Sequence, residues 1–156
     1  MYKKEFMLEA IALSQKCLKE GKGGPFGAVI VKDGKIVGRG SNMVTINNDP
    51  TAHAEVMAIR DACHNLNTFQ LTGCEVYTSC EPCPMCLGAI YWARPDRIYY
   101  AASKIDAADA GFDDSFIYEE IAIAAADRKI PAIQEDRESA IVTFDGWKKS
   151  TNKTEY

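Results

Sequence analysis

The sequence lacks several features that would each assign a function class at once. It has no apolar run near the roughly 20 residues that a membrane span requires. Residues 1–9 include acids where a signal peptide would be apolar. Positive charge is not in excess either, since the formal net charge is −4, and no global field would attract a polyanion. We therefore expect a cytoplasmic protein that binds neither nucleic acid nor a membrane.

Histidine is scarce and cysteine is clustered. The chain of 156 residues has two histidines and six cysteines. Cys80, Cys83 and Cys86 stand too close together for the spread disulfide framework of a secreted protein. His53 precedes Glu55 by two residues. These two short stretches are the only grouped soft metal ligands in the chain, so the chemistry is expected there.

Hydrophobic periodicity and turn residues predict an alternation of helices and strands. A helix over residues 3–20 ends at Gly21, and Asp33-Gly34 joins two β-rich runs in a hairpin. Thr51 is a candidate N-cap for the next helix. The remaining elements are a helix over 52–63, a strand over 74–78, a helix over 84–92 and a strand over 97–101. This order is typical of an α/β sheet covered by helices, in one domain of residues 1–156 with a C-terminal extension from residue 112.

Cys83 and Cys86 fall at a strand-to-helix junction, where the helix dipole favours thiolate over thiol. With His53 they supply the two sulfurs and one nitrogen of an open zinc site, which leaves the fourth tetrahedral position to water. Three alternatives compete. The cysteines could be a thioredoxin-like redox pair, Cys80 could close a structural zinc site, or His53 could merely cap its helix.

Glu55 favours the open catalytic site among these interpretations. A carboxylate beside a zinc-activated water can accept its proton and pass it to a leaving group. Zinc nucleobase deaminases carry His-x-Glu followed by Pro-Cys-x-x-Cys, with the glutamate not a ligand. Here the two halves are His53-Ala54-Glu55 and Pro82-Cys83-Pro84-Met85-Cys86, in that order.

Longer stretches carry a closer resemblance. The chain resembles the small bacterial guanine deaminases of the cytidine deaminase-like superfamily in four segments: 24–34 (GPFGAVIVKDG), 48–56 (NDPTAHAEV), 77–93 (YTSCEPCPMCLGAIYWA) and 106–118 (DAADAGFDDSFIY). The zinc motif is common to the whole superfamily. The segment around Phe112-Asp113-Asp114 and the terminal Tyr156 are what resemble guanine deaminases in particular.

The resemblance implies a three-layer α/β/α fold with a mixed central sheet flanked by helices. It also implies one Zn²⁺ per subunit on His53, Cys83 and Cys86, with water or hydroxide as the fourth ligand. The reaction would be hydrolysis of guanine to xanthine and ammonia. The enzyme would be a homodimer in which residues 112–156 are domain-swapped, so that Asp114 and Tyr156 come from the partner subunit. The catalytic residues would be Glu55 and Asp114, and the purine would be bound by Phe26, Asn42, Ala54, Trp92, Asp114 and Tyr156.

Simpler interpretations of these residues stay open at this point. Asp114 could cap a short following helix, Asn42 could bond to its own turn, Phe26 and Trp92 could be core aromatics, and Tyr156 could be a frayed terminus. A tRNA adenosine deaminase and a cytosine deaminase share the zinc motif. Outside enzymes, a structural zinc or redox Cys-x-x-Cys module is the alternative.

Overall fold

The computed structural model describes residues 1–156, in which the chain divides into two compact units, Met1–Asp114 and Ser115–Tyr156. The first unit contains, in order, α1 (Lys4–Glu20), β1 (Gly27–Lys32), β2 (Lys35–Ser41), α2 (Val44–Asn47), α3 (Ala54–Leu66), β3 (Cys74–Cys80), α4 (Pro84–Ala93), β4 (Arg97–Ala102) and α5 (Lys104–Asp109). The second contains α6 (Ser115–Ala122), a short 3-10 turn (Ala125–Asp127) and α7 (Arg137–Lys149). No helix is both long and apolar enough to span a membrane.

The four strands form one mixed sheet in the order β2-β1-β3-β4. β1 pairs antiparallel with both β2 and β3, whereas β3 and β4 are parallel and are connected through α4. The predicted hairpin is present, and Asp33 and Gly34 both adopt positive φ in its turn. Gly21 ends α1 in the left-handed conformation, as the sequence predicts.

Side-chain alternation along the strands divides the core into two layers. Val29, Val31 and Tyr77 pack against Phe6 and Met7 of α1 on one face of the sheet. On the other face lies a cluster drawn from β1, β3, α3, α4 and the loop before β3: Ala28, Ile30, Ala54, Ala58, Ala62, Leu71, Cys74, Val76, Ile90 and Ala93. Helices therefore cover both faces, and the predicted three-layer α/β/α arrangement with a mixed sheet is confirmed.

Helix α3 sits close to the sheet because two glycines of β2 leave room for it. A Cβ on Gly40 would collide with the backbone of Ala54 and Ala58, and one on Gly38 would collide with that of Ala58 and Ala62. Small alanines on the facing side of α3 complete this approach. The contact fixes the start of α3, which carries His53 and Glu55.

The start of α3 differs from the sequence prediction. The helix begins at Ala54 with His53 as its N-cap residue, so Thr51 is not the N-cap. Instead, both the backbone N–H and the hydroxyl of Thr51 donate to Asp49 Oδ1, at 2.8 and 2.6 Å. Asp49 therefore closes a turn that the propensity of Thr51 for N-caps did not reveal. Helices α2 and α5 were also not predicted from the sequence.

Candidate active site

Two helix N-termini on the same face of the sheet carry the predicted metal ligands. His53 is the N-cap residue of α3 and Cys83 that of α4, where Pro84 occupies the first turn. The side chain of neither residue accepts a capping hydrogen bond from the backbone of its helix. The imidazole and the thiol are therefore available to bind a metal ion. The helix N-terminus also stabilises negative charge on the sulfur atom.

The three candidate ligand side chains converge on one point. Nδ1 of His53 lies 3.5 Å from Sγ of Cys83 and 3.5 Å from Sγ of Cys86. All three ligand atoms lie within 4.8 Å of one another. Zinc–sulfur bonds of about 2.3 Å and zinc–nitrogen bonds of about 2.0–2.1 Å imply sulfur–nitrogen edges of about 3.6 Å in a tetrahedral site. The donor set and its spacing therefore fit zinc.

The two thiols have opposite protonation tendencies. A hydrogen bond from Cys86, aided by His53, lowers the pKa of Cys83 to about 4, whereas the same bond and burial raise the pKa of Cys86. The contact with Cys83 also raises the pKa of His53. One thiol of the Cys83–Cys86 pair is therefore readily deprotonated. A bound divalent cation would deprotonate the second thiol as well.

Glu55 lies in the first turn of α3 and is 6% exposed. Burial raises the pKa of its carboxyl group, against opposing hydrogen bonds that include those from Cys86 and Thr78. The Thr78 hydroxyl donates to Glu55 Oε1 at 3.0 Å. A buried carboxyl group with a raised pKa, beside the thiol of a candidate ligand, is suited to take part in proton transfer.

Cys80 is directed away from this cluster. Its thiol donates to the carbonyl oxygen of Ser103 at 3.6 Å, and it is not among the three residues whose ligand atoms converge. Burial raises the pKa of Cys80 to about 11. The geometry therefore separates Cys80 from Cys83 and Cys86, which the sequence alone left undecided.

The loop that carries Phe26 contacts the segment that ends the first unit. The rings of Phe26 and Phe112 meet edge to face with centroids 4.9 Å apart. Two residues further on, burial and the nearby charge of Cys83 raise the pKa of Asp114, which is half-buried. The structure thus brings Asp114 towards a cysteine of its own chain.

Asn42 is buried, at 7% exposure. Its Oδ1 accepts from the backbone N–H groups of Gly24 and Val44, at 3.4 and 3.3 Å. The predicted bond to its own turn is therefore present, and it also links the Phe26 loop to the end of β2. Because the oxygen is occupied in this way, the Nδ2 amide hydrogens are the groups that Asn42 can offer to a ligand.

The three other residues predicted to bind the substrate differ in their exposure. Ala54 is fully buried at the start of α3, between His53 and Glu55. Trp92 lies on α4 with 65% of its surface exposed in the single chain, and Tyr156 is 68% exposed in the second unit. Their substrate-binding roles stay predictions.

Two residues at the site were missed in the sequence. Thr78 donates a hydrogen bond to Glu55. The sequence could have indicated this, because Thr78 is a polar residue between Val76 and Cys80 on the inward-facing side of a buried strand. Phe112 was noted only as part of a motif, yet its ring contacts Phe26. Nothing in its local sequence pattern indicated that long-range contact.

Comparisons with known proteins agree with this geometry. Residues 1–102 match the family described as the cytidine and deoxycytidylate deaminase zinc-binding region. The chain is 57% identical over 151 residues to a guanine deaminase of Bacillus subtilis, covering 97% of each chain. A crystal structure of guanine deaminase from Bacillus subtilis superimposes with a TM-score of 0.96 at 56% identity, over 100% of this chain and 99% of that one.

A more distant relative matches only part of the chain. The tRNA-specific adenosine deaminase of Aquifex aeolicus is 41% identical over 102 residues, which covers 65% of this chain and 67% of that protein. The guanine deaminase match, in contrast, extends through nearly the whole sequence. From the converging His-Cys-Cys cluster, the zinc-binding family match and the near full-length relative, it follows that the chain belongs to the cytidine and deoxycytidylate deaminase family.

Proposed function

We propose that this protein is a zinc-dependent guanine deaminase, which hydrolyses guanine to xanthine and ammonia. The observation that carries the proposal is the convergence of His53, Cys83 and Cys86 beside the buried Glu55. The choice of guanine rests on the relative that matches 97% of the chain, beyond the part covered by the tRNA-specific enzyme. A formal net charge of −4 also disfavours a polyanionic substrate.

His53, Cys83 and Cys86 would hold one zinc ion per chain and leave a fourth position to water. When bound, zinc lowers the pKa of such a water towards neutrality and so supplies the nucleophile. Cys80 would not take part, because its thiol bonds to Ser103. The site is then open and catalytic rather than closed and structural.

Glu55 would carry the protons of the reaction. It accepts a proton from the attacking water and delivers it to the ring nitrogen as oxygen adds to C2 of guanine. It then takes the proton of the new C2 hydroxyl and passes it to the exocyclic amine, so that the C2–N bond breaks, the C2 carbonyl forms and ammonia leaves. Burial raises the pKa of Glu55, which favours the protonated form that donates to the ring nitrogen and to the leaving amine.

The residues around the cluster would hold the base. Asn42 presents N–H donors, because its Oδ1 already accepts two backbone N–H groups, and such donors match the acceptors O6 and N7 of guanine. Phe26, fixed edge to face by Phe112, offers an apolar ring to the flat purine. Ala54 and Trp92 complete the predicted pocket.

Asp114 would contact the purine and assist catalysis from within the same chain. The contact of Phe112 with Phe26, and the effect of Cys83 on the pKa of Asp114, both favour this origin. Tyr156 would close over the base, and a closing aromatic group excludes water from the reaction. In the exchanged dimer proposed below, Tyr156 would close over the base of the partner subunit.

We also propose a homodimer with an exchanged C-terminal segment. The resemblance implies exchange from residue 112, but the contacts of Phe112 and Asp114 within one chain favour Ser115 as the first exchanged residue. No residue of Ser115–Tyr156 is buried in the single chain, although this unit carries Phe116, Phe144 and Trp147 with 46–62% of their surface exposed. Aromatic surface of this kind is stabilised by association. Light scattering should give the mass of a dimer, and an active monomer would exclude the exchange.

The cytoplasm is the proposed location. All six cysteines are free thiols, and both ligand sulfurs must stay reduced to bind zinc. Cell fractionation with an antibody to this protein would test the assignment.

The substrate is tested with the zinc-loaded protein and four separate substrates: guanine, adenine, cytosine and tRNA. We expect ammonia and xanthine from guanine and no comparable ammonia release from the others. Absence of xanthine would overturn the proposal, and inosine formed in tRNA would favour the adenosine deaminase instead.

A further inference from the structure

The contact between Thr78 and Glu55 joins the central strand to the proposed catalytic helix. The Thr78 hydroxyl donates to Glu55 Oε1 at 3.0 Å, and the two side chains belong to residues that are 1% and 6% exposed. Because both groups are buried, neither can exchange this bond for water without local opening of the structure.

Thr78 occupies one of the most constrained positions of the sheet. Its strand is flanked on both sides, and Thr78 is in register with Ala28 of β1 and Tyr100 of β4. Glu55 is constrained from the other side, because Gly40 lets the first turn of α3 lie directly on β2. The hydroxyl and the carboxylate are thus brought together by backbone that cannot easily move.

We propose that Thr78 is a positioning residue for Glu55, an inference that rests on the proposed deaminase function. The hydroxyl holds one carboxylate oxygen and fixes the rotation of the group. The other oxygen is then the one that carries protons between water, ring nitrogen and leaving amine. A proton carrier must reach these atoms in sequence, so a small rotation of the carboxylate slows the reaction without changing how guanine is bound.

A purely structural role for the hydroxyl predicts something different. If Thr78 only satisfied a buried polar group, its loss would lower stability and leave the turnover of folded, zinc-loaded protein unchanged. The two roles are therefore separated by kcat and KM measured on protein whose folding and metal content have been checked.

The test compares T78V and T78S with the wild type on guanine, with zinc content and thermal unfolding measured for each variant. T78V keeps the shape of the side chain and removes the hydroxyl, and T78S keeps the hydroxyl. We expect kcat of T78V to fall about 10- to 100-fold with KM within about twofold of wild type and zinc retained. T78S should recover most of kcat. T72V makes the same chemical change at an exposed residue before β3 and should match wild type.

The outcomes distinguish this inference from the proposed function. If wild type releases no xanthine, the function itself fails. If wild type is active and T78V has the same kcat, Thr78 does not position Glu55, and the same holds if T78S loses as much kcat as T78V. Should T78V not fold, T78S and T78A form the second comparison, because they differ only in the hydroxyl. A crystal structure of T78V with Glu55 unmoved would also overturn the inference.

Discussion

The two units of the chain use their apolar residues in opposite ways. Met1–Asp114 contains every buried residue, and many of them form two apolar clusters on the faces of the sheet. Ser115–Tyr156 contains none, although its helices carry side chains such as Ile121 and Phe144, both 62% exposed. The metal cluster and Glu55 belong entirely to the first unit.

This difference in burial assigns different steps of the proposed reaction to the two units. Metal binding and proton transfer need side chains held to within a fraction of an ångström, which a packed core provides. Substrate closure needs a surface that can move, and a segment with little buried area is suited to that. Variants in the first unit should therefore affect chemistry and metal binding, whereas those in the second should affect substrate binding.

The largest effect is expected from loss of a candidate ligand. C83S should lower the zinc content from about one ion per chain to near zero, because serine is a poor zinc ligand, and should abolish xanthine formation. C80S is the matched control, since Cys80 bonds to Ser103 instead. Metal analysis of purified protein checks both. Zinc loss in C80S would contradict the separation of the cysteines.

Loss of the proposed proton carrier should come next. E55Q keeps the size of the side chain but cannot shuttle a proton, so kcat should fall about 10²- to 10⁴-fold with zinc retained. Steady-state kinetics on guanine and metal analysis give the two values. E5Q, at an exposed position of α1, should behave as wild type. Full turnover by zinc-loaded E55Q would remove Glu55 from the mechanism.

A smaller effect is expected where the helix and sheet approach each other. G40A would force a methyl group against the backbone of Ala54 and Ala58, and should lower the free energy of unfolding by about 1–3 kcal/mol. G88A is the matched control, because a Cβ on Gly88 in α4 meets nothing within 4 Å. That variant should be stabilised by about 0.5–1 kcal/mol. Denaturant titration measures the free energy of unfolding of both variants. Equal changes in the two would argue against close packing of α3 on β2 at Gly40.

The smallest effect is expected in the second unit. Y156A removes the proposed closing aromatic ring and should raise KM for guanine about tenfold. Zinc content and unfolding temperature should not change, because Tyr156 is 68% exposed and lies outside the unit with the core. E155A changes the neighbouring residue and should leave KM unaltered. An unchanged KM in Y156A would identify Tyr156 as a terminus without a substrate contact.

The sequence predicted what depends on short-range pattern. Residue spacing was enough to predict an α/β sheet covered by helices, whereas the three-layer arrangement with a mixed sheet was implied by the family resemblance. Spacing also predicted the convergence of His53, Cys83 and Cys86, because each ligand stands at a helix start marked by the local sequence. It did not decide the position of Cys80, which depends on the distant Ser103. Thr78 and Phe112 were missed for the same reason, since their partners Glu55 and Phe26 are remote in sequence.

The placement of the ligands at two helix starts has a further consequence for the stability of the chain. His53 and Cys83 are 30 residues apart, so a bound ion closes a loop that contains all of α3 and β3. Such a closure acts as a reversible cross-link, which removes conformational entropy from the unfolded chain much as a disulfide does. Because only the folded chain assembles the full ligand set, the melting temperature rises with the free zinc concentration. We therefore expect the metal content of the surroundings to set the stability of the fold, as well as the proposed activity.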